Sequence, residues 1–246
     1  MARGDAGSAQ ALKITINNQS YRDKLNSEIL SSKAEWRNGT IEWFSPIEPN
    51  YKEFQNSNFW SGILPGSYRN SFWSCLKNAE KRKYYAEFWP TRGAHWDAVG
   101  ILTVNGEATL LLIEAKAQKS EHKGTPSTAT SDKSILTINN SLKRSQLFYK
   151  STKSEEWNKD STYYQMENRL AYLFYLSEIC SINTRLVYVY FLNDRHAFDK
   201  GINVGSREEW ENLIAEEKRH IGLDNEYSKA ILDDLMIELF IEAPEY

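Results

Sequence analysis

The stretch that decides the fold runs from His95 to Gln118, HWDAVGILTVNGEATLLLIEAKAQ. At its centre Asn105-Gly106 separates two apolar runs. This dipeptide is the strongest short-range hairpin signal, because a type I′ turn needs positive φ at both central positions. A two-residue loop pairs Val104 with Glu107 and, counting outward, sets Asp97 opposite Glu114. Lys116 lies two residues past Glu114 and projects from the same strand face. Facing residues have Cβ atoms about 5 Å apart, so two carboxylates and an ammonium converge on one patch. Opposed like charges are unfavourable unless something neutralises them, and a divalent cation would do so. Magnesium takes oxygen ligands, commonly one or two carboxylates with water and substrate phosphate completing the shell. The Ala115 carbonyl is a further donor. Such an ion activates a bound water and offsets charge on a phosphodiester oxygen, and Lys116 would hold that water and stabilise the transition state.

Outward from the hairpin, residues 67–246 read as one α/β domain behind an N-terminal extension over 1–66. The first dozen or so residues are rich in Gly, Ala and Ser and predict a loose start, followed by a helix over 21–36. Residues 45–68 hold Pro46, Pro49 and Pro65 and predict irregular structure. Phe72, Leu76 and Ala79 predict a helix over 68–81, and strands follow over 84–89, 96–104 and 107–116. A Gly/Ser/Thr/Pro-rich loop occupies 119–134, with helices over 133–150 and 162–180 and a buried strand over 185–193. Ser206-x-x-Glu209 is a capping box opening a helix that Gly222 closes, and a last helix is predicted over 226–241.

Glu-x-Lys by itself carries little, since it occurs at Glu114, Glu121 and Glu216. Only the first ends an apolar strand, LLLIEAKA, with an Asp placed opposite by a turn. The plain alternative there is a strand end where Glu114 and Lys116 neutralise each other at the surface. Asp97 with Glu114-Ala115-Lys116 after a hydrophobic strand resembles the PD-(D/E)xK nuclease superfamily, and WDAVG, LLIEAKAQ, YYQMENRLAYLFYL and LVYVYFLND are similar to an uncharacterised bacterial group within it. The resemblance covers about half the chain. It implies a restriction-endonuclease-like αβββαβ core with a central mixed sheet flanked by helices, followed by C-terminal helices. It also implies that Asp97 and Glu114 bind Mg2+, or Mn2+ as a substitute, and that Lys116 is catalytic. Trp96 stands where the nominal motif has Pro, a position without a chemical role.

The superfamily often adds an acid from its first core helix, for which Glu80 is the candidate by position and Glu87, on the first strand, a second. Gln118 continues the Glu114–Lys116 face, and Glu121 opens the following loop. Gln165, Asn168 and Arg169 share one helix face opposite Met166, Leu170, Leu173 and Phe174. An ordinary solvent face explains that pattern as well as a site does. Arg92, Lys119, Lys123, Lys143 and Arg144 are candidate phosphate contacts, each of which also reads as a plain surface base.

Net charge over the 246 residues is −3, which on its face discourages a nucleic-acid partner. Its distribution is uneven. Residues 69–153 carry 14 Lys and Arg against 7 Asp and Glu, a net of +7, whereas residues 207–246 carry 4 against 12, a net of −8. Cys75 and Cys180 make no disulfide framework, and neither they nor the four scattered histidines have zinc-site spacing. The start lacks a signal-peptide core and no apolar run approaches 18 residues, so a cytoplasmic protein without a membrane partner is expected. GxSxG, Walker and GxGxxG motifs are missing. The expected activity is metal-dependent hydrolysis of nucleic acid, DNA before RNA. The alternative is a nucleic-acid-binding or protein-interaction module on the same fold without turnover, its acidic C-terminal helices serving a partner or a homodimer contact.

Overall fold

The computed structural model describes residues 7–46, 54–55, 87–90, 93–124, 127–158, 162–195 and 203–245. In chain order the elements are α1 (Ser8–Asn17), α2 (Gln19–Ser31), β1 (Thr40–Ser45), β2 (Phe54–Gln55), β3 (His95–Trp96), β4 (Ala98–Val104) and β5 (Glu107–Lys116). Then come α3 (Asp132–Phe148), α4 (Tyr164–Phe174) continued by a π-helical turn over Tyr175–Ile179, β6 (Thr184–Leu192), α5 (Arg207–His220), α6 (Glu226–Leu235) and β7 (Met236–Glu242).

The hairpin follows the register read from the turn. Asn105 and Gly106 have φ of 50° and 83°, and the β4–β5 ladder runs from Val104–Glu107 to Ala98–Ile113. Five strands form one mixed sheet in the order β1-β4-β5-β6-β7, antiparallel as far as β5 and parallel from β5 to β7. β2 and β3 make a separate two-stranded ribbon.

The sheet is covered on both faces, which is why β5 and β6 read as continuous apolar runs rather than alternating ones. On one face Leu110, Leu112, Leu186, Tyr188 and Tyr190 pack with α3, α4, α5 and α6. On the other, Leu111, Ile113, Val187, Val189, Ile237 and Leu239 pack with Ala11, Leu12 and Ile16 of α1 and Leu25 and Ile29 of α2.

Several elements differ from expectation. The chain is not loose at residue 8: Ala11, Leu12 and Ile16 supply an apolar stripe that buries α1 against the sheet. The third antiparallel strand comes from β1, which pairs with β4. Of the strand predicted over 84–89, Glu87 and Phe88 are helical. The helix predicted over 68–81 lies outside the described residues. The helix predicted over 226–241 stops at Leu235, and Met236–Glu242 becomes the edge strand β7, whose Ile237, Leu239 and Ile241 alternate into the α1–α2 face. The acidic C-terminal region therefore completes the sheet. Among the described residues no helix is long and apolar enough to cross a membrane.

Candidate functional site

The β4–β5 ladder ends at Ala98–Ile113, and just beyond it the two strands open around a cavity of about 1040 Å³. Asp97, Glu114, Ala115, Lys116, Glu121, Lys123, Gln165, Asn168 and Arg169 all line it. Asp97 keeps its place through two bonds. Its N–H donates to the Ile113 carbonyl at 3.1 Å, and its Oδ2 accepts from the Ala115 N–H at 2.8 Å. In a strand the N–H and C=O of one residue leave on the same edge, so the Ala115 carbonyl also faces the Asp97 side.

Glu114 is the hub. Its Oε1 accepts from Lys116 Nζ at 2.8 Å and from Gln165 Nε2 at 2.5 Å, and its Oε2 accepts from Arg169 Nε at 2.6 Å. Gln165 closes the triangle by accepting from Lys116 Nζ through Oε1 at 2.6 Å. Arg169 also donates from Nη1 to Asn168 Oδ1 at 2.9 Å, and its guanidinium lies 4.9 Å from the ring centre of the fully buried Trp96. Glu114, Lys116 and Arg169 are only 1%, 6% and 8% exposed, so this is a buried network and not a surface ion pair. The surface neutralisation weighed for Glu114 and Lys116 is thereby replaced by an interior arrangement with a second cation.

The two carboxyls titrate in opposite senses. Burial, with the nearby Glu114 charge, pushes Asp97 up to about 8. Burial also acts to raise Glu114, but the Arg169 and Lys116 charges and their hydrogen bonds outweigh it and hold that carboxyl below its ordinary value. The site thus contains one satisfied anion, two cations and an acid that burial and the Glu114 charge hold in its neutral form below about pH 8.

α4 supplies its residues by helical spacing. Gln165, Asn168 and Arg169 face the cavity while Met166, Leu170 and Leu173 enter the core. The solvent-face reading of that stripe is displaced, since Asn168 and Arg169 are buried. The segment after β5 is drawn against the same helix: a Cβ at Gly124 would lie 2.8 Å from the Gln165 nitrogen, so only glycine fits there without a shift.

The remaining candidates separate clearly. Glu121 lines the cavity, yet its carboxylate is spent on the chain itself, accepting from Ala117 N, Gln118 Nε2 and Ser8 N. Gln118 forms an isolated bridge with Asn203 and turns to Glu121 instead of the cavity. Lys123 lines the cavity, whereas Lys119 pairs with Glu209 and Lys143 with Glu156 at exposed positions. Arg144 lies over the Phe88 and Phe174 rings at 5.9 Å, away from the cavity lining. Glu87 is exposed and does not line the cavity. Glu80 and Arg92 lie outside the described residues.

Sequence reasoning missed the support behind Lys116. His122 is buried, with Nε2 donating to the Leu213 carbonyl at 2.6 Å and Nδ1 lying 3.4 Å from Glu217 Oε2. Burial lowers His122 and pushes Glu217 well above the usual carboxylate range, favouring a neutral acid facing a neutral imidazole. No local pattern joins these residues; only the docking of α5 does. Ser8 at the cavity wall was likewise hidden, because the start of the chain reads as loose.

The donor set suits a hard divalent cation. Two carboxyls and a carbonyl converge, and among the described residues no salt bridge engages Asp97 to match the two held by Glu114. Among the described residues no three His, Cys, Asp or Glu side chains cluster, so water or substrate oxygens would complete the shell. Comparison with protein-family models, with curated proteins and with solved structures finds no match to this chain.

Proposed function

We propose that the chain is a divalent-metal-dependent nuclease of the PD-(D/E)xK type on a restriction-endonuclease-like core, hydrolysing phosphodiesters in nucleic acid, DNA before RNA. One observation carries the reading: Asp97, Glu114 and Lys116 meet at the end of a hairpin in a cavity where Gln165 and Arg169 bond directly to Glu114 and Asn168 joins the lining. A carboxyl pair, a lysine and an arginine are the groups that phosphodiester hydrolysis calls for, namely ion ligands and donors for the phosphate charge.

Asp97, Glu114 and the Ala115 carbonyl would hold Mg2+, or Mn2+ in its place. When bound, the ion supplies Lewis acidity, lowering the pKa of a water and offsetting charge on the phosphate. The chain's own groups do the rest. Lys116, poised at Glu114 Oε1 and Gln165 Oε1, positions the attacking water and donates to the developing phosphorane oxygens. Gln165 fixes the Lys116 ammonium, and Arg169 presents its remaining N–H groups to the phosphate. Lys123 at the cavity wall and the surplus of bases over 69–153 attract the polyanion.

The test is cleavage of plasmid and of single-stranded DNA and RNA with Mg2+, Mn2+ or EDTA, alongside Lys116→Ala. Metal-dependent cleavage reduced at least ~100-fold in the variant is expected. No cleavage of any substrate, with retained binding, would favour the non-catalytic module. Equal cleavage by Lys116→Ala would remove Lys116 from the chemistry.

A further inference from the structure

Resting on the nuclease reading, we infer that Arg169 takes the place of a second metal ion, so that this site loads a single divalent cation. In-line phosphodiester hydrolysis needs positive charge on both the attacking and leaving sides of the phosphorus, and two-metal sites meet that need with ions about 3.5–4 Å apart. Such pairs require an acid able to bridge them. Glu114 has lost that ability, because its oxygens are already divided between different kinds of partner.

On the Oε1 side stand Lys116 and the neutral Gln165 amide, both on long, rotatable side chains that can yield to an entering cation. On the Oε2 side stands Arg169, which cannot deprotonate and is held by three independent contacts. These are Nε to Oε2 at 2.6 Å, Nη1 to Asn168 Oδ1 at 2.9 Å, and the guanidinium 4.9 Å from the Trp96 ring centre. Trp96 is the residue that departs from the family pattern, standing where the motif has proline. The departure supplies the aromatic wall that seats the arginine. Of the other described acids lining the cavity, Asp97 gives Oδ2 to Ala115 N and keeps a single oxygen for an ion, and Glu121 is closed to a second ion by its bonds to Ala117 N, Gln118 Nε2 and Ser8 N. Asp97 and Glu114 Oε1 therefore suffice for one cation, and the opposite side of Glu114 carries a permanent organic charge.

The experiment is a titration of the full chain with Mn2+ alone, followed by electron paramagnetic resonance, for the wild type, Arg169→Met, Arg169→Lys and Asp97→Asn. The wild type should bind one Mn2+ per chain without spin coupling between ions, and Asp97→Asn should bind it at least ~10-fold more weakly. Arg169→Met, having lost a fixed positive charge beside the ion, should bind Mn2+ at least ~10-fold more tightly while losing cleavage. Arg169→Lys should keep an affinity within about threefold of the wild type, since the charge remains. Two Mn2+ per wild-type chain would overturn the inference while leaving the nuclease reading intact. So would unchanged or weaker Mn2+ binding in a folded Arg169→Met. No Mn2+ bound by the wild type would overturn both. The wild-type count stands even if Arg169→Met fails to fold.

Discussion

Glu114 on β5 and Asp97, in the bend between β3 and β4, read from the sequence as an equivalent pair, yet the structure gives them opposite electrostatic roles. Replacing Glu114 with Gln leaves the Lys116 and Arg169 charges buried without their shared anion, which should cost about 3–5 kcal/mol in metal-free denaturant unfolding. Asp97→Asn should cost no more than about 1 kcal/mol near pH 6, because the acid is already neutral there and an amide oxygen can still accept from Ala115 N. The pH dependence follows. A carboxyl raised from 3.8 to about 8 binds its proton more tightly in the folded chain. Its contribution to stability is complete below about pH 4 and is lost as pH rises through about 8, with a limiting slope of ~1.4 kcal/mol per pH unit. Wild type measured without metal should thus lose stability relative to Asp97→Asn between pH 4 and 8. A flat difference across that range would refute the assignment. The convergence of Asp97, Glu114 and Lys116 on one cavity was legible because a two-residue turn fixes register as far as Ala98–Ile113, although Asp97 then bonds to Ile113 O and Ala115 N instead of pairing with Glu114. The split in their titration was not, because it depends on an arginine 55 positions away in sequence from Glu114.

At the scale of elements, the site depends on how the segment after β5 is fastened. Gly124 abuts α4, and His122 ties the segment to α5 through the Leu213 carbonyl. His122→Ala removes a buried hydrogen bond and opens a gap beside Glu217. We expect a loss of about 2–3 kcal/mol and faster amide hydrogen exchange over residues 117–124 than over β4. Uniform acceleration across the sheet would show instead that His122 supports the core as a whole. This fastening had no sequence signal, since a lone histidine in a Gly/Ser/Thr-rich stretch shows no helical or strand period. The misread C-terminus has a different cause. Ile231, Leu232, Leu235, Met236, Leu239 and Phe240 fit a helical spacing, while MIELFIE also alternates, and no Gly or Pro marks the change at Leu235. Packing against α1 and α2 decides for the strand. β1 was overlooked for a related reason: its six residues precede a Pro-containing stretch and gain strand character only by pairing with β4.

For the whole molecule, a net charge of −3 conceals two unlike stretches of chain, and the structure sorts the described bases within the positive one. Lys123 lines the cavity, while Lys119 and Lys143 are partnered by Glu209 and Glu156 at exposed positions. Binding of a fluorescent single-stranded oligonucleotide should weaken linearly on a log–log plot against salt, and Lys123→Ala should reduce that slope by about 0.7–0.9. Lys143→Ala should leave it nearly unchanged, and the reverse ranking would move the binding face to the exposed surface of α3. The proposed nuclease stands on Asp97 and Glu114 together forming a divalent-cation site. Crystals soaked in Mn2+ and measured at the manganese absorption edge test it most directly. One anomalous peak is expected, bounded by Asp97, Glu114 Oε1 and the Ala115 carbonyl; a map with no peak there, and the Lys116–Glu114–Arg169 network unchanged, would rule the cation site out.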